Sequence, residues 1–172
     1  MTTSDVTILM GSASDWKHLS GAAELLHQLG VRFRVHVSSA HRTPERTVEL
    51  VRQAEADGCK VFICAAGMAA HLAGVVAAHT TRPVLGVPLP GGVLDGVDAL
   101  LSTVQMPSGI PVATFAVGPA GAKNAAVFAA AVVGLERSDV AAAVSAARRD
   151  GERRVHDGDA EVAASVREIT GG

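Results

Sequence analysis

The residues best suited to chemistry lie in the run Ser38-Ser39-Ala40-His41-Arg42-Thr43-Pro44. A histidine has an unperturbed pKa of about 6.5, so His41 can give or take a proton near neutrality. Arg42 directly precedes Thr43-Pro44-Glu45, which starts a helix with an N-cap hydroxyl, a proline at the first position and an acid in the first turn. A cation beside the positive end of a helix dipole is unfavourable unless an anion lies between them. The pattern therefore points to a bound anion next to a proton carrier. Taken alone, a loop histidine such as His41 is more often a surface or capping residue.

Two other runs carry small, polar or titratable residues. Gly11-Ser12-Ala13-Ser14-Asp15 offers hydroxyls and backbone N–H groups where a helix begins, a natural seat for an anion. Asp15 would repel a phosphate at contact, so ribose hydroxyls are its expected partners. The plainer alternative makes Ser14 an N-cap and Asp15 a first-turn acid. In Ala65-Ala66-Gly67-Met68-Ala69-Ala70-His71, the histidine is either a satisfied, half-buried packing residue or a neutral group lining a water-poor pocket beside His41. His18, His27, His36, His79 and His156 lack such placement and are assigned to surface or packing roles. Neither G-x-G-x-x-G nor a Walker lysine occurs. No His/Cys/Asp/Glu cluster has ligand spacing, so no metal and no cofactor are expected.

These three runs each follow an apolar stretch, and the pattern of those stretches says how they are held. Val6–Met10 reads as a buried strand, and Trp16, Leu19, Ala22, Ala23, Leu26 and Leu29 recur at helical spacing up to Gly30. Val31–Val37 alternates as a second strand, and a helix runs from Thr43 to Asp57. Val61–Cys64 is the third strand, followed by a helix over about Ala69–Ala78. Val84–Val87 is a fourth strand closed by Pro88 and Pro90, Val97–Thr103 a helix, and Val112–Val117 a fifth strand. Asn124–Val133 is an alanine-rich helix, and Ser138–Asp150 another that resumes after a glycine-containing break toward Glu168. Alternating strands and helices predict an α/β, three-layer α/β/α fold with a mostly parallel central sheet. Ligands of such sheets bind at the carboxyl ends of the strands, where the three runs fall.

The chain of 172 residues fits one catalytic domain over 1–172, with a C-terminal helical tail from about Ser138 that packs on neighbouring subunits or frays. With 48% hydrophobic and 3% aromatic residues, the core must be built from Ala, Val, Leu and Ile. A net charge of −2 leaves no basic footprint for nucleic acid and no polybasic membrane anchor. Met1–Asp5 is polar and the run after it too short for a signal core. The apolar stretch 61–78 is interrupted by Gly67, His71 and Gly74, so no membrane span is expected. Cys59 and Cys64 read as a pair of reduced thiols in a cytoplasmic protein.

The chain resembles the aminoimidazole ribonucleotide carboxylase family of purine biosynthesis, in its bacterial mutase class, over roughly Val6 to Val133. The segments are M-G-S-A-S-D-W (10–16), S-A-H-R-T-P (39–44), A-G-M-A-A-H-L (66–72), P-V-L-G-V-P-L (83–89), L-D-G-V-D-A-L-L-S-T-V-Q-M-P-S-G-I-P-V-A-T (94–114) and A-K-N-A-A (122–126). The resemblance implies a flavodoxin-like fold, a homo-octamer and a reaction without metal, cofactor or ATP. It implies a mutase that moves a carboxyl group from the exocyclic nitrogen of N5-carboxyaminoimidazole ribonucleotide to ring carbon 4, through CO2 held in a closed pocket. A separate ATP-dependent synthetase would make that substrate. His41 matches the family's proton-transfer histidine and His71 its second pocket histidine. Ser12, Asp15 and Arg42 match ribonucleotide-binding positions. Ser14 and Ser39 lie in the same phosphate-binding motifs, and Gly67, Ala70 and Leu72 complete the binding positions. The chain departs from the pattern at Met68, where the family usually has glycine, and at Ala73, where it usually has proline. Val93-Leu94-Asp95 fits the family's mobile loop only loosely.

Two rival readings differ in cheap ways. A direct carboxylase using CO2 and the uncarboxylated ribonucleotide would carry lysine after the histidine and lack A-A-H-L; Arg42 and His71 stand against it. A non-enzymatic flavodoxin-like binding module would want an acidic pocket or flavin-stacking aromatics, and the chain has one Trp, four Phe and no Tyr.

Overall fold

The computed structural model describes residues 3–171; Met1, Thr2 and Gly172, at the ends of the expected domain, lie outside the described residues. The elements in order are β1 (Val6–Met10), a 3-10 turn (Ala13–Asp15), α1 (Trp16–Gln28), β2 (Phe33–Val37), α2 (Pro44–Ala56), β3 (Val61–Gly67), α3 (Leu72–Ala77), β4 (Val84–Leu89), α4 (Val97–Val104), β5 (Ala113–Thr114), α5 (Pro119–Gly134) and α6 (Ser138–Thr170). The five strands are ordered β2-β1-β3-β4-β5 and every pairing is parallel. This is the flavodoxin-like order, in which the strand sequence reverses beside β1.

Alternation along the strands builds two cores. Val6, Ile8, Val61, Ile63, Leu85 and Val87 face α1, α5 and the start of α6, meeting Leu19, Leu26, Ala126, Ala130 and Val140. Leu9, Phe62, Cys64 and Val84 face the other way, against Val51, Leu72 and Val76 of α2 and α3. Buried alanines along α5 let it lie close to both the sheet and α1. On the second face Gly86 of β4 leaves room for α4, since a Cβ there would sit 2.4 Å from Thr103 Cγ2. Cys59 and Cys64 are buried free thiols; burial pushes both thiols up, which removes them as nucleophiles.

Several boundaries differ from the sequence reading. β3 continues to Gly67 and β4 runs through Pro88 to Leu89, so Pro88 does not close its strand. Its missing N–H instead falls on the β5 side, where Pro88 O still accepts from Gly118 N. That absent donor helps limit β5 to Ala113–Thr114 rather than the expected 112–117. The helix expected from Ala69 begins only at Leu72, because Met68 is left-handed (φ 56°) and Ala69–His71 form tight turns. α6 is one continuous helix through Gly151 and Gly158, with no break. A helical glycine costs only about 1 kcal/mol, too little to interrupt good helix formers on both sides.

Candidate active site

Parallel register sets the carboxyl ends of three strands level. Met10 of β1 lies opposite Val37 of β2 on one side and Ala65 of β3 on the other. The loops that follow must therefore meet above the middle of the sheet. They enclose a cleft of about 490 Å³ lined by Gly11, Ser12, Ser14, Asp15, Ser39–Arg42, Ala66–Ala69, Leu72 and Leu89–Gly92. That volume suits a mononucleotide-sized ligand. A larger groove of about 670 Å³ is lined by α2 residues alone, Glu45, Val48, Glu49, Arg52 and Gln53, and none of the three strand-end loops contributes to it.

The first loop folds around its own cap. Ser12, not Ser14, is the N-cap: its Oγ accepts from Ser14 N (3.3 Å) and Ser14 Oγ (2.9 Å). Asp15 closes the capping box by accepting Ser12 N at 2.9 Å. Burial pushes the Asp15 carboxyl up, and the Ser12 N–H acts in the opposite direction.

The second loop is tied at its base and open at its tip. Ser38 shares a 2.8 Å bond with Thr47 in the interior, and Ser38 N donates to Met10 O. Thr43 begins α2 but its hydroxyl does not cap the helix; it donates to Ser39 O at 3.0 Å and accepts Ser39 N at 3.1 Å. This pinches the chain so that His41 and Arg42 project from it. Arg42 reaches back to Ser39 Oγ and, through Nη2, to Gly11 O at 3.4 Å, so its guanidinium lies between the first two loops.

His41 Nε2 is 2.9 Å from Nδ1 of His71 in the third loop, the rings edge-to-face at 85° with centroids 5.0 Å apart. The two histidines thus form one unit. Both are exposed in the single chain, so His71 is not the half-buried packing residue that the sequence also allowed. Arg42, Met68, Ala69, Gly91 and Gly92 are exposed as well, so this chain alone leaves the cleft open.

Ser12, Ser14, Asp15, Ser39, His41, Arg42, Gly67 and Leu72 all line the cleft. His71 joins through its bond to His41. Ala70 does not line it: the residue is buried, and its carbonyl accepts Thr103 Oγ1 at 3.4 Å. Ala69 holds the lining position instead, because the turn after Met68 rotates alternate residues inward. The wall Leu89-Pro90-Gly91-Gly92 escaped sequence reasoning. A glycine-rich loop directly after the fourth strand was the available signal, under the same strand-end rule.

Fold and site together define the class: a doubly wound α/β protein with a ligand cleft at its switch point, furnished with a histidine pair and an arginine. Comparison with known proteins narrows it. A family model described as AIR carboxylase matches residues 5–154, and the chain belongs to that family. It is 54% identical over 138 residues to a Brucella melitensis protein named N5-carboxyaminoimidazole ribonucleotide mutase, spanning 80% of this chain and 85% of that one. A Pseudomonas aeruginosa protein of the same name is 53% identical over 129 residues, spanning 75% and 79%. The crystal structure of Treponema denticola PurE superposes with a TM-score of 0.82 at 31% identity, covering 91% of this chain and 96% of that one.

Among the described residues, no group of three or more His, Cys, Asp or Glu side chains is placed to hold a metal ion, and no helix is long and apolar enough to cross a membrane.

Proposed function

We propose that the protein is a mutase that converts N5-carboxyaminoimidazole ribonucleotide to 4-carboxy-5-aminoimidazole ribonucleotide in purine biosynthesis. The observation that carries this reading is the His41–His71 pair beside Arg42 at the mouth of a nucleotide-sized cleft. The names of the relatives at about half identity support it.

The ribonucleotide is held by Arg42 with Ser12, Ser14 and Ser39 toward its phosphate and Asp15 toward ribose hydroxyls, while Gly67 and Leu72 shape the wall. His41 delivers a proton to the exocyclic nitrogen as the nitrogen–carboxyl bond breaks, and the electron pair stays on nitrogen. CO2 is released beside the ring. Ring carbon 4 attacks it, and His41 removes the proton left on that carbon, so the cycle is proton-neutral. His71 holds the other end of the shared hydrogen bond and keeps a proton within reach of His41. The chemistry calls on no metal and no cofactor.

The cleft is open in the single chain, whereas free CO2 would escape or hydrate if water had access. The reading therefore includes a homo-octamer whose neighbouring subunits cover the cleft, with the tail from Ser138 packed on them. It also includes a cytoplasmic location and an ATP-dependent synthetase that supplies the N-carboxylated substrate.

The test gives purified protein the N-carboxylated ribonucleotide without bicarbonate, or the uncarboxylated one with it. Rapid product only from the first is expected. Rapid product only from the second would make the protein a direct carboxylase, and binding without turnover in both would make it a binding module.

A further inference from the structure

We infer that Met68 is a positioning residue that straps the loop after β3 to the glycine loop after β4, so that CO2 is retained on that side of the cleft. The inference rests on the carboxyl-transfer reading above.

Met68 occupies a left-handed backbone position, φ 56°. For a residue with a side chain this costs roughly 1–2 kcal/mol, a cost that glycine avoids. Burial within this chain does not offset it, because Met68 is 64% exposed there and belongs to neither core cluster. A strained backbone under an exposed apolar side chain is a poor arrangement for folding or solubility. What the side chain does is reach the neighbouring loop after β4. Its Cγ lies 3.3 Å from the point where a Cβ on Gly92 would stand.

Gly92 belongs to a turn-rich segment closed by Gly96 N donating to Gly91 O at 3.2 Å and Val97 N donating to Leu94 O at 3.1 Å. Gly91, Gly92, Asp95 and Gly96 all have positive φ (129°, 74°, 46° and 96°), and Val93 and Leu94 are exposed. Met68 and this segment line the same cleft, and Met68 stands three residues before His71 in its loop. Methionine suits the task, since an unbranched thioether side chain adapts its shape to an irregular neighbouring surface.

The reaction supplies a direct readout. When the nitrogen–carboxyl bond breaks, the nitrogen keeps the pair and takes a proton from His41, and CO2 is set free. If ring carbon 4 captures it, the carboxylated product forms. If CO2 escapes first, the uncarboxylated aminoimidazole ribonucleotide accumulates. The ratio of the two products measures retention.

The experiment gives full-length parent, Met68→Gly and Met68→Leu the N-carboxylated ribonucleotide without bicarbonate. Both products are measured, with breakdown in buffer subtracted, and each protein is melted. Met68→Gly should melt no lower than the parent, because strain is relieved, yet give several-fold more uncarboxylated product. Met68→Leu keeps the bulk against the Gly92 loop and should hold the parent's ratio. Should Met68→Gly fail to fold, Met68→Ala carries the same expectation. An unchanged ratio in the folded small variant overturns the role of Met68 alone. A parent that forms no carboxylated product overturns the functional reading beneath it.

Discussion

His41 and His71, thirty positions apart in the chain, meet through a 2.9 Å contact between Nε2 and Nδ1. At that contact one ring must donate and the other accept, so the pair handles its shared proton as a unit. His41→Asn should abolish isomerisation, a loss on the order of 10²–10⁴ for removing a general acid–base group, while ribonucleotide binding survives. Adding His71→Asn to it should cost little more, because groups acting as a unit are non-additive. Steady-state kinetics with a separate binding titration checks both; retained turnover in His41→Asn would sink the mechanism.

Arg42 bridges Ser39 and Gly11 with hydrogen bonds of 3.4 Å, long enough to exchange for a better acceptor. Replacing it by alanine should weaken ribonucleotide affinity roughly 10- to 150-fold, the equivalent of a charge-assisted bond of about 1.5–3 kcal/mol. Arg42→Lys should restore only part of this, since an ammonium cannot reproduce the planar fork. Calorimetric titration decides; an unchanged Kd for the alanine variant removes Arg42 from the binding site.

Asp5 knits the far end of the sheet together. Its buried carboxylate takes Arg32 at 2.7 Å and Arg137 at 3.1 Å, joining the start of β1 to the β2 approach and the α5–α6 turn. Burial pushes the carboxyl up, but the bonds and charge of Arg32, with that of Arg137, hold it below the usual carboxylate range. The folded state thus favours the charged form. This contribution is present above the unfolded value of about 3.9 and is lost as pH falls through the lower folded one. Asp5→Asn should destabilise by about 2–3 kcal/mol at neutral pH and flatten the acid limb of a melting-temperature profile. A variant whose acid limb keeps the parent's slope would assign that limb to other groups.

The distal half of α6 shows Val155, Val162, Val166 and Ile169, all exposed. Three of them are seven residues apart, which places them on one side of the helix. Val140 is the buried residue of this helix. Deleting the chain after Arg154 should leave the fold and its melting cooperative while lowering the mass of the assembly in sedimentation. A truncated protein of unchanged assembly order would take the tail out of oligomerisation.

Much of this was legible in the order of residues. Strand and helix periods, the helix start at Pro44, and the polar strand-end runs are local features, each fixed by side-chain size and backbone preference, whereas the fifth helix begins at Pro119, five residues before the expected Asn124. They defined the fold class, the bordering loops and the motif residues on which family membership rests. Other features depend on contacts between distant segments. Which serine caps the first turn, why Ala70 turns into the core while Ala69 lines the cleft, and how Leu89–Gly92 become a wall were settled by packing. Likewise β5 is short partly because of a proline on the neighbouring strand, and the exposure of the histidine pair depends on which surfaces cover it. The sequence by itself determined that His41 and His71 would each stand at a strand end. Only the tertiary structure decided that they touch, because level parallel registers across β2, β1 and β3 bring two otherwise independent loops within one hydrogen bond of each other.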